Sequence, residues 1–224
     1  MAFEVLDEHE QGELVRKWLR TNAMSIAIGI TIGLLLIFGY KQWKARELRT
    51  HAEAALQFDA FVDAVDAKRS DDAKRIAEGL RKDYAKSAFS TFAAMRQAEV
   101  SVTDGDLKAA QADLDWANQS ARNSVMKSLI ALRQARLDLA EGKADAALAE
   151  LDKVAKSDFP AIASELRGDA LVKLGRSADA RAAYAEALSN QDAQSPDRAF
   201  VEMKQADLPV SDAGVEKVAE KTKS

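Results

Sequence analysis

The sequence predicts an all-α protein: a single N-terminal transmembrane helix followed by an α-solenoid of paired helices. Three observations carry this prediction. Residues 21–40 contain no charged side chain. Alanine supplies 44 of the 224 residues and proline only 3, and no Asn-Gly or Asp-Gly hairpin stands between alternating apolar runs. Small residues also recur at fixed offsets from three glycines, with a period that suits stacked helical hairpins.

The span comes first. Thr21 to Tyr40 lies between Arg20 and Lys41, and at about 1.5 Å per residue it reaches about 30 Å, the hydrocarbon thickness of a bilayer. Ile26, Ile28, Ile30, Ile32, Leu34, Leu35, Leu36, Ile37 and Phe38 drive insertion, together by about 3–5 kcal/mol. Trp18 before the span, and Tyr40 and Trp43 at its far end, match the interfacial aromatic belts. A cleaved signal peptide is a poor fit, because the start is acidic (Glu4, Asp7, Glu8, Glu10, Glu13) and Lys41-Gln42-Trp43-Lys44 offers no cleavage site. A lipoprotein would need a cysteine, and the chain has none. Arg16, Lys17 and Arg20 flank one side and Lys41, Lys44, Arg46 and Arg49 the other, so the positive-inside rule does not set the orientation. Within the span, Ser25, Gly29 and Gly33 fall at i, i+4 and i+8. They form a strip of small residues of the kind that lets helices approach in lipid. The expected layout is a short acidic tail at 1–20, the span at 21–40, a helical-repeat domain at 41–206 and a disordered tail at 207–224.

Beyond Tyr40 the basic and acidic residues nearly balance, 29 against 31. That leaves no field for nucleic acid and no basic face to argue from. The absence of cysteine excludes a disulfide framework without placing the chain in a compartment.

The repeat aligns on Gly105, Gly142 and Gly175, with spacings of 37 and 33 residues. Five residues after each glycine stands alanine: Ala110, Ala147 and Ala180. Nine after stand the larger Leu114, Leu151 and Tyr184, and twelve after stand Ala117, Val154 and Ala187. Seven before stand the small Ala98, Ala135 and Gly168. This matches the 34-residue tetratricopeptide (TPR) pattern, in which small residues let two helices cross closely and the glycine turns the chain between them. The aromatic residues of the consensus first helix are missing. The fold class is therefore all-α, a TPR-like solenoid behind one membrane helix.

A degenerate first pair precedes these, apolar at Ala55, Leu56, Phe58, Ala60, Phe61, Val62 and Val65. The pairs are expected at about 45–84, 87–119, 122–156 and 160–189. Ser70-Asp71-Asp72, Ser87, Ser120 and Ser177 stand where helices should begin. Pro160 fits a first helical turn. Arg198 to Lys204 should form a short helix covering the last pair, with Phe200 and Met203 inward.

Little in the chain suggests catalysis. The two histidines, His9 and His51, flank opposite ends of the span, and no HExxH, Gly-x-Ser-x-Gly, Walker-type or calcium-loop motif occurs. No cofactor, no metal and no enzymatic activity are expected. Arg167-Gly168-Asp169 spells an adhesion tripeptide and Asn118-Gln119-Ser120 a glycosylation acceptor, but helix packing and a turn explain them. What remains is binding. On the repeat alignment, the face shared by the first helices of each pair carries Met95, Leu132 and Glu165 at one offset. Glu99, Arg136 and Asp169 stand at a second, and Val102, Leu139 and Val172 at a third. Such a mixed groove suits an extended segment or a partner's helix.

The order of acidic tail, single span with an aromatic and basic edge, and TPR-like pairs resembles the bacterial YfgM family. The likeness is strongest over Leu129–Val154, Ala161–Leu188 and Phe200–Leu208, and covers residues 10–208. The family is described as ancillary to the SecYEG translocon. The resemblance implies an inner-membrane protein with its N-terminus in the cytoplasm and its TPR domain in the periplasm. It also implies contacts with SecYEG, a PpiD-like periplasmic chaperone and translocating polypeptides, and a contact of the cytoplasmic tail with the Rcs response regulator. The alternative is a TPR scaffold for another envelope assembly or a stress-signalling regulator, self-associating through its membrane helix.

Overall fold

A computed structural model of the chain describes residues 8–209, with side chains from residue 12 onward. The expected acidic residues Glu4 and Asp7, and the tail beyond Pro209, lie outside the described residues. Nine α-helices and no strands are present among the described residues: α1 (Glu8–Asp66), α2 (Ser70–Asp83), α3 (Ala88–Thr103), α4 (Leu107–Ser120), α5 (Ser124–Ala140), α6 (Ala144–Leu151), α7 (Pro160–Lys173), α8 (Ser177–Ser189) and α9 (Arg198–Ala206). By contacts the chain divides into two compact units between Glu53 and Ala54.

The first unit holds the apolar run, and none of its most apolar 18-residue window is buried against protein. This single N-terminal helix is long and apolar enough to cross a bilayer. Three of its polar side chains hydrogen-bond back to the helix itself. Thr21 Oγ1 donates to Lys17 O at 2.9 Å, Asn22 Nδ2 to Trp18 O at 2.9 Å and Thr31 Oγ1 to Ala27 O at 2.8 Å. That pattern removes the cost of a bare polar group in hydrocarbon.

In the second unit, the end of α1 shares one buried apolar cluster with α2; α3 pairs with α4, α5 with α6 and α7 with α8, and α9 packs on α8. Four apolar clusters run in sequence through the stack. The turns between paired helices share one hydrogen-bond pattern. Gly105 N donates to Val102 O (3.1 Å) and Asp106 N to Ser101 O (2.8 Å); Gly142 and Lys143, and Gly175 and Arg176, repeat this. This is the Schellman motif, which needs a left-handed residue after the helix. The glycines supply it at φ 81°, 79° and 72°. Lys68, at φ 56°, makes the same turn in the first pair: its N–H donates to Val65 O and Arg69 N–H to Ala64 O. The repeat therefore has four copies, and the first carries a lysine where the others carry glycine.

The repeat offsets explain the core. Ala110, Ala147 and Ala180 are wholly buried. In the last three pairs a small residue on the first helix faces a large one on the second: Ala98 with Leu114, Ala135 with Leu151, Gly168 with Tyr184. The first pair reverses the sizes. At the offset of the small residue it has Phe61, and at the offset of the large residue it has Ala77, both within one buried cluster. Each crossing thus fits one bulky side chain, which keeps the interior close-packed.

Three expectations need correction. Ser120 ends α4 and starts nothing; Asn123 caps α5 by accepting from Met126 N at 2.7 Å. Helices do begin at Ser70 and Ser177, the first residues of α2 and α8, but neither serine is the cap: Arg69 and Arg176 hold the cap positions, with no side-chain cap bond. Ser87 does cap α3, accepting from Phe89 N, and Pro160 opens α7. In α9, Phe200 and Met203 are half exposed, and Val201 is the residue fully buried. The register is set by polar anchors. Arg181 donates to Leu208 O (3.0 Å) and Pro209 O (3.2 Å), and Arg198 to Leu188 O (2.8 Å). These turn Val201 and Leu208 onto α8 and leave Phe200 to stack under Lys204.

Candidate functional site

The nine candidate groove residues fall on α3, α5 and α7, the first helices of three pairs. The structure brings four of them to one depression between α3 and α5, of about 230 Å³. Met95, Glu99, Val102 and Arg136 line it, with Arg133 and Leu137. Met95 forms its buried floor and Val102 stands at its exposed rim. Leu132 is buried in the cluster between α5, α6 and α7, so it packs between repeats. Leu139 is half-buried beside that cluster, and Val172 is exposed on α7. Packing sets where the depression lies: α5 and α7 pack directly against each other, whereas α3 and α5 approach less closely.

Charge along this face is ordered. Arg96 reaches Asp66 at 3.8 Å and Glu99 at 2.8 Å, and Arg133 reaches Glu99 from the other side at 2.9 Å. Burial works to raise the Glu99 carboxyl, but the hydrogen bonds and charges of Arg96 and Arg133 outweigh it and hold it below its ordinary value. At the other end, Lys204 of α9 sits between Glu165 (2.9 Å) and Asp169 (2.8 Å), and the Tyr184 hydroxyl donates to Asp169 at 2.7 Å. Burial works to lower Lys204, but both carboxylates together keep it above its usual value. Glu165 and Asp169 are thus occupied by the chain's own α9. Arg136 is exposed and makes no hydrogen bond or ion pair among the described residues.

Ser25 and Gly29 are exposed, and a Cβ at Gly29 or Gly33 would meet nothing within 4 Å. Among the described residues no group of three or more His, Asp or Glu side chains is placed to hold a metal. Sequence reasoning missed Arg133. It stands three residues before Arg136, an i, i+3 spacing that puts both guanidinium groups on one helix face.

The family model of the tetratricopeptide repeat-like domain matches residues 16–210. The chain belongs to this family. The match takes in the span as well as the repeats. Two curated relatives are similar over most of their length. One from Haemophilus influenzae, named an ancillary SecYEG translocon subunit, is 26% identical over 188 residues, covering 84% of this chain and 91% of that protein. One from Escherichia coli K12, with the same name, is 26% identical over 178 residues, covering 80% and 85%. The resemblance to the YfgM family is borne out by these matches. No solved structure matches the chain.

Proposed function

We propose that this chain is a membrane-tethered TPR-like subunit of the SecYEG translocon that binds segments of polypeptides emerging from the channel, together with a PpiD-like chaperone. One observation carries the reading: the two translocon-subunit relatives are matched over 91% and 85% of their own length. The geometry supports binding rather than chemistry, because the face of α3, α5 and α7 offers an apolar depression edged by charge. Orientation follows from the same reading. The N-terminus lies in the cytoplasm, where its tail meets the Rcs response regulator, and the repeats lie in the periplasm. The tether keeps the repeats near emerging chains, which raises their effective concentration.

Purification of the tagged chain from membranes in mild detergent tests this. SecYEG and a PpiD-like chaperone should co-purify, and an extract lacking both would overturn the reading. A second reading, self-association through the span, is favoured by the uncovered small-residue strip. Changing Gly29 and Gly33 to isoleucine separates the two. Loss of a crosslinked dimer with translocon contact retained supports self-association, whereas loss of translocon contact makes the strip a SecYEG-facing surface.

A further inference from the structure

The proposed polypeptide-binding role leaves open what kind of segment the groove would prefer. We propose that the depression between α3 and α5 takes a segment carrying a carboxylate next to an apolar side chain. Arg136 pairs with the carboxylate, and Met95, Val102 and Leu137 receive the apolar group. This rests on the polypeptide-binding reading above and gives it a chemistry.

The argument is one of charge complementarity along a single face. Asp66, Arg96, Glu99 and Arg133 form a continuous chain of ion pairs across the first three pairs. Glu165 and Asp169 are answered by Lys204. Both ends of the face are thereby closed by internal pairs. Between them stands Arg136, at the repeat offset of Glu99 and Asp169, exposed and without a partner among the described residues. Glu99 cannot serve an incoming cation, because two guanidinium groups already hold it. Arg133 is held in turn by Glu99 through both Nε and Nη2. The charge left to a visitor is the positive one. A guanidinium matches a carboxylate bidentately.

The depression beside Arg136 has the size of a side chain rather than of a cofactor. Its roughly 230 Å³ falls below the usual range for small-molecule pockets, about 300–1,000 Å³. Its lining is mostly apolar, from Met95 and Leu114 at the floor to Val102 at the rim. Apolar contact there would supply affinity, and Arg136 would supply preference.

The test uses the full-length protein in lipid nanodiscs and fluorescein-labelled dodecapeptides of serine and glycine. Each peptide bears two leucines flanking a central glutamate, glutamine or lysine. Fluorescence anisotropy at low salt should show the glutamate peptide binding about tenfold more tightly than the lysine peptide. That preference should shrink as salt rises through the screening range. In Arg136→Glu, an exposed position whose change leaves the core intact, the preference should reverse. In Val102→Ser, at the exposed rim, all three peptides should weaken while the order of preference is kept. Equal binding of glutamate and lysine peptides to the wild type would overturn the proposal, as would an Arg136→Glu protein that keeps the wild-type preference. Co-purification with SecYEG is scored separately. A translocon that still co-purifies with a protein showing no charge preference would remove this inference and leave the translocon reading standing.

Discussion

Replacing Gly168 by alanine probes the tightest crossing in the stack. The added Cβ would lie 2.4 Å from Tyr184 Cε1, 2.5 Å from Cδ1 and 2.9 Å from Cζ. Carbon atoms in contact prefer about 3.5–4.0 Å, so the ring must retreat by about 1 Å. It has little freedom to do so. Tyr184 is 2% exposed, and its hydroxyl is tied to Asp169, which Lys204 also holds. Overpacking of this kind costs about 1–3 kcal/mol, and alanine's better helix propensity returns at most about 1 kcal/mol. The net loss is about 1–2 kcal/mol, a fall of about 2–8 °C in Tm for a domain of this size. Gly79 in α2 is the control: it has the same chemical change in a helix interior, but nothing lies within 4 Å of its Cβ. Gly79→Ala should raise stability by about 0.5–1 kcal/mol. Far-UV circular dichroism melts of the full-length chain in detergent read both. If Gly168→Ala melts at or above the wild type, or moves in the same direction as Gly79→Ala, the close crossing against Tyr184 is not what requires glycine at 168.

The other predictions concern a turn, an ion pair and pH. Lys68→Gly should stabilise by about 1 kcal/mol, because glycine removes the left-handed penalty of a side chain while keeping the turn's hydrogen bonds; urea titration reads it. Arg81→Ala should destabilise by about 2–3 kcal/mol, since it strands the buried Asp113 carboxylate and uncovers Trp116; the double change with Asp113→Asn should recover part of the loss. Lys204 has a folded-state pKa above its ordinary 10.5, so its stabilisation is complete below that pH and is lost as pH rises through the folded value. Tyr184, raised by burial and by Asp169, acts in the same direction. Protease cutting near α9 should therefore increase above about pH 10.5 in the wild type, and less so in Lys204→Met.

Much of this fold was legible because glycine has a physical reason to recur. A Schellman turn needs a left-handed residue, so Gly105, Gly142 and Gly175 marked three turns directly. The turn of the first pair carried no glycine signal, because Lys68 adopts the same conformation at a cost; only the apolar pattern before it and Ser70-Asp71-Asp72 after it marked the place. The serines misled for a related reason. A serine caps only if it stands just before a helix, and Ser120 is the last residue of α4, so Asn123 provides the cap of α5. In α9 the apolar pattern pointed to Phe200 and Met203. Bonds to α8 set the register instead, from Arg181 on α8 to Leu208 O and from Arg198 to Leu188 O, and no local window contains both partners of either bond. The candidate face shows the same limit. Repeat arithmetic placed Met95, Glu99, Val102 and Arg136 together, but it could not foresee that α9 would occupy Glu165 and Asp169.

The size exchange at the helix crossings links the repeat to the face it presents. A crossing needs one large side chain, and either helix can carry it. In the last three pairs the second helix does, so α3, α5 and α7 approach their partners through Ala98, Ala135 and Gly168. Their bulk is spent on the neighbouring face, at Met95 and Val102, Leu132 and Leu139, Val172. In the first pair Phe61 fills the crossing from α1 and Ala77 yields on α2. The exchange makes a joint prediction: Phe61→Ala alone should cost about 3–5 kcal/mol as a cavity, and Ala77→Leu alone should overpack by about 1–3 kcal/mol. Made together, they recreate the size order of the other three crossings and should lose less than the two losses added. A strictly additive double mutant, measured by urea unfolding, would mean that Phe61 and Ala77 do not share a crossing and that the first pair is built on different rules.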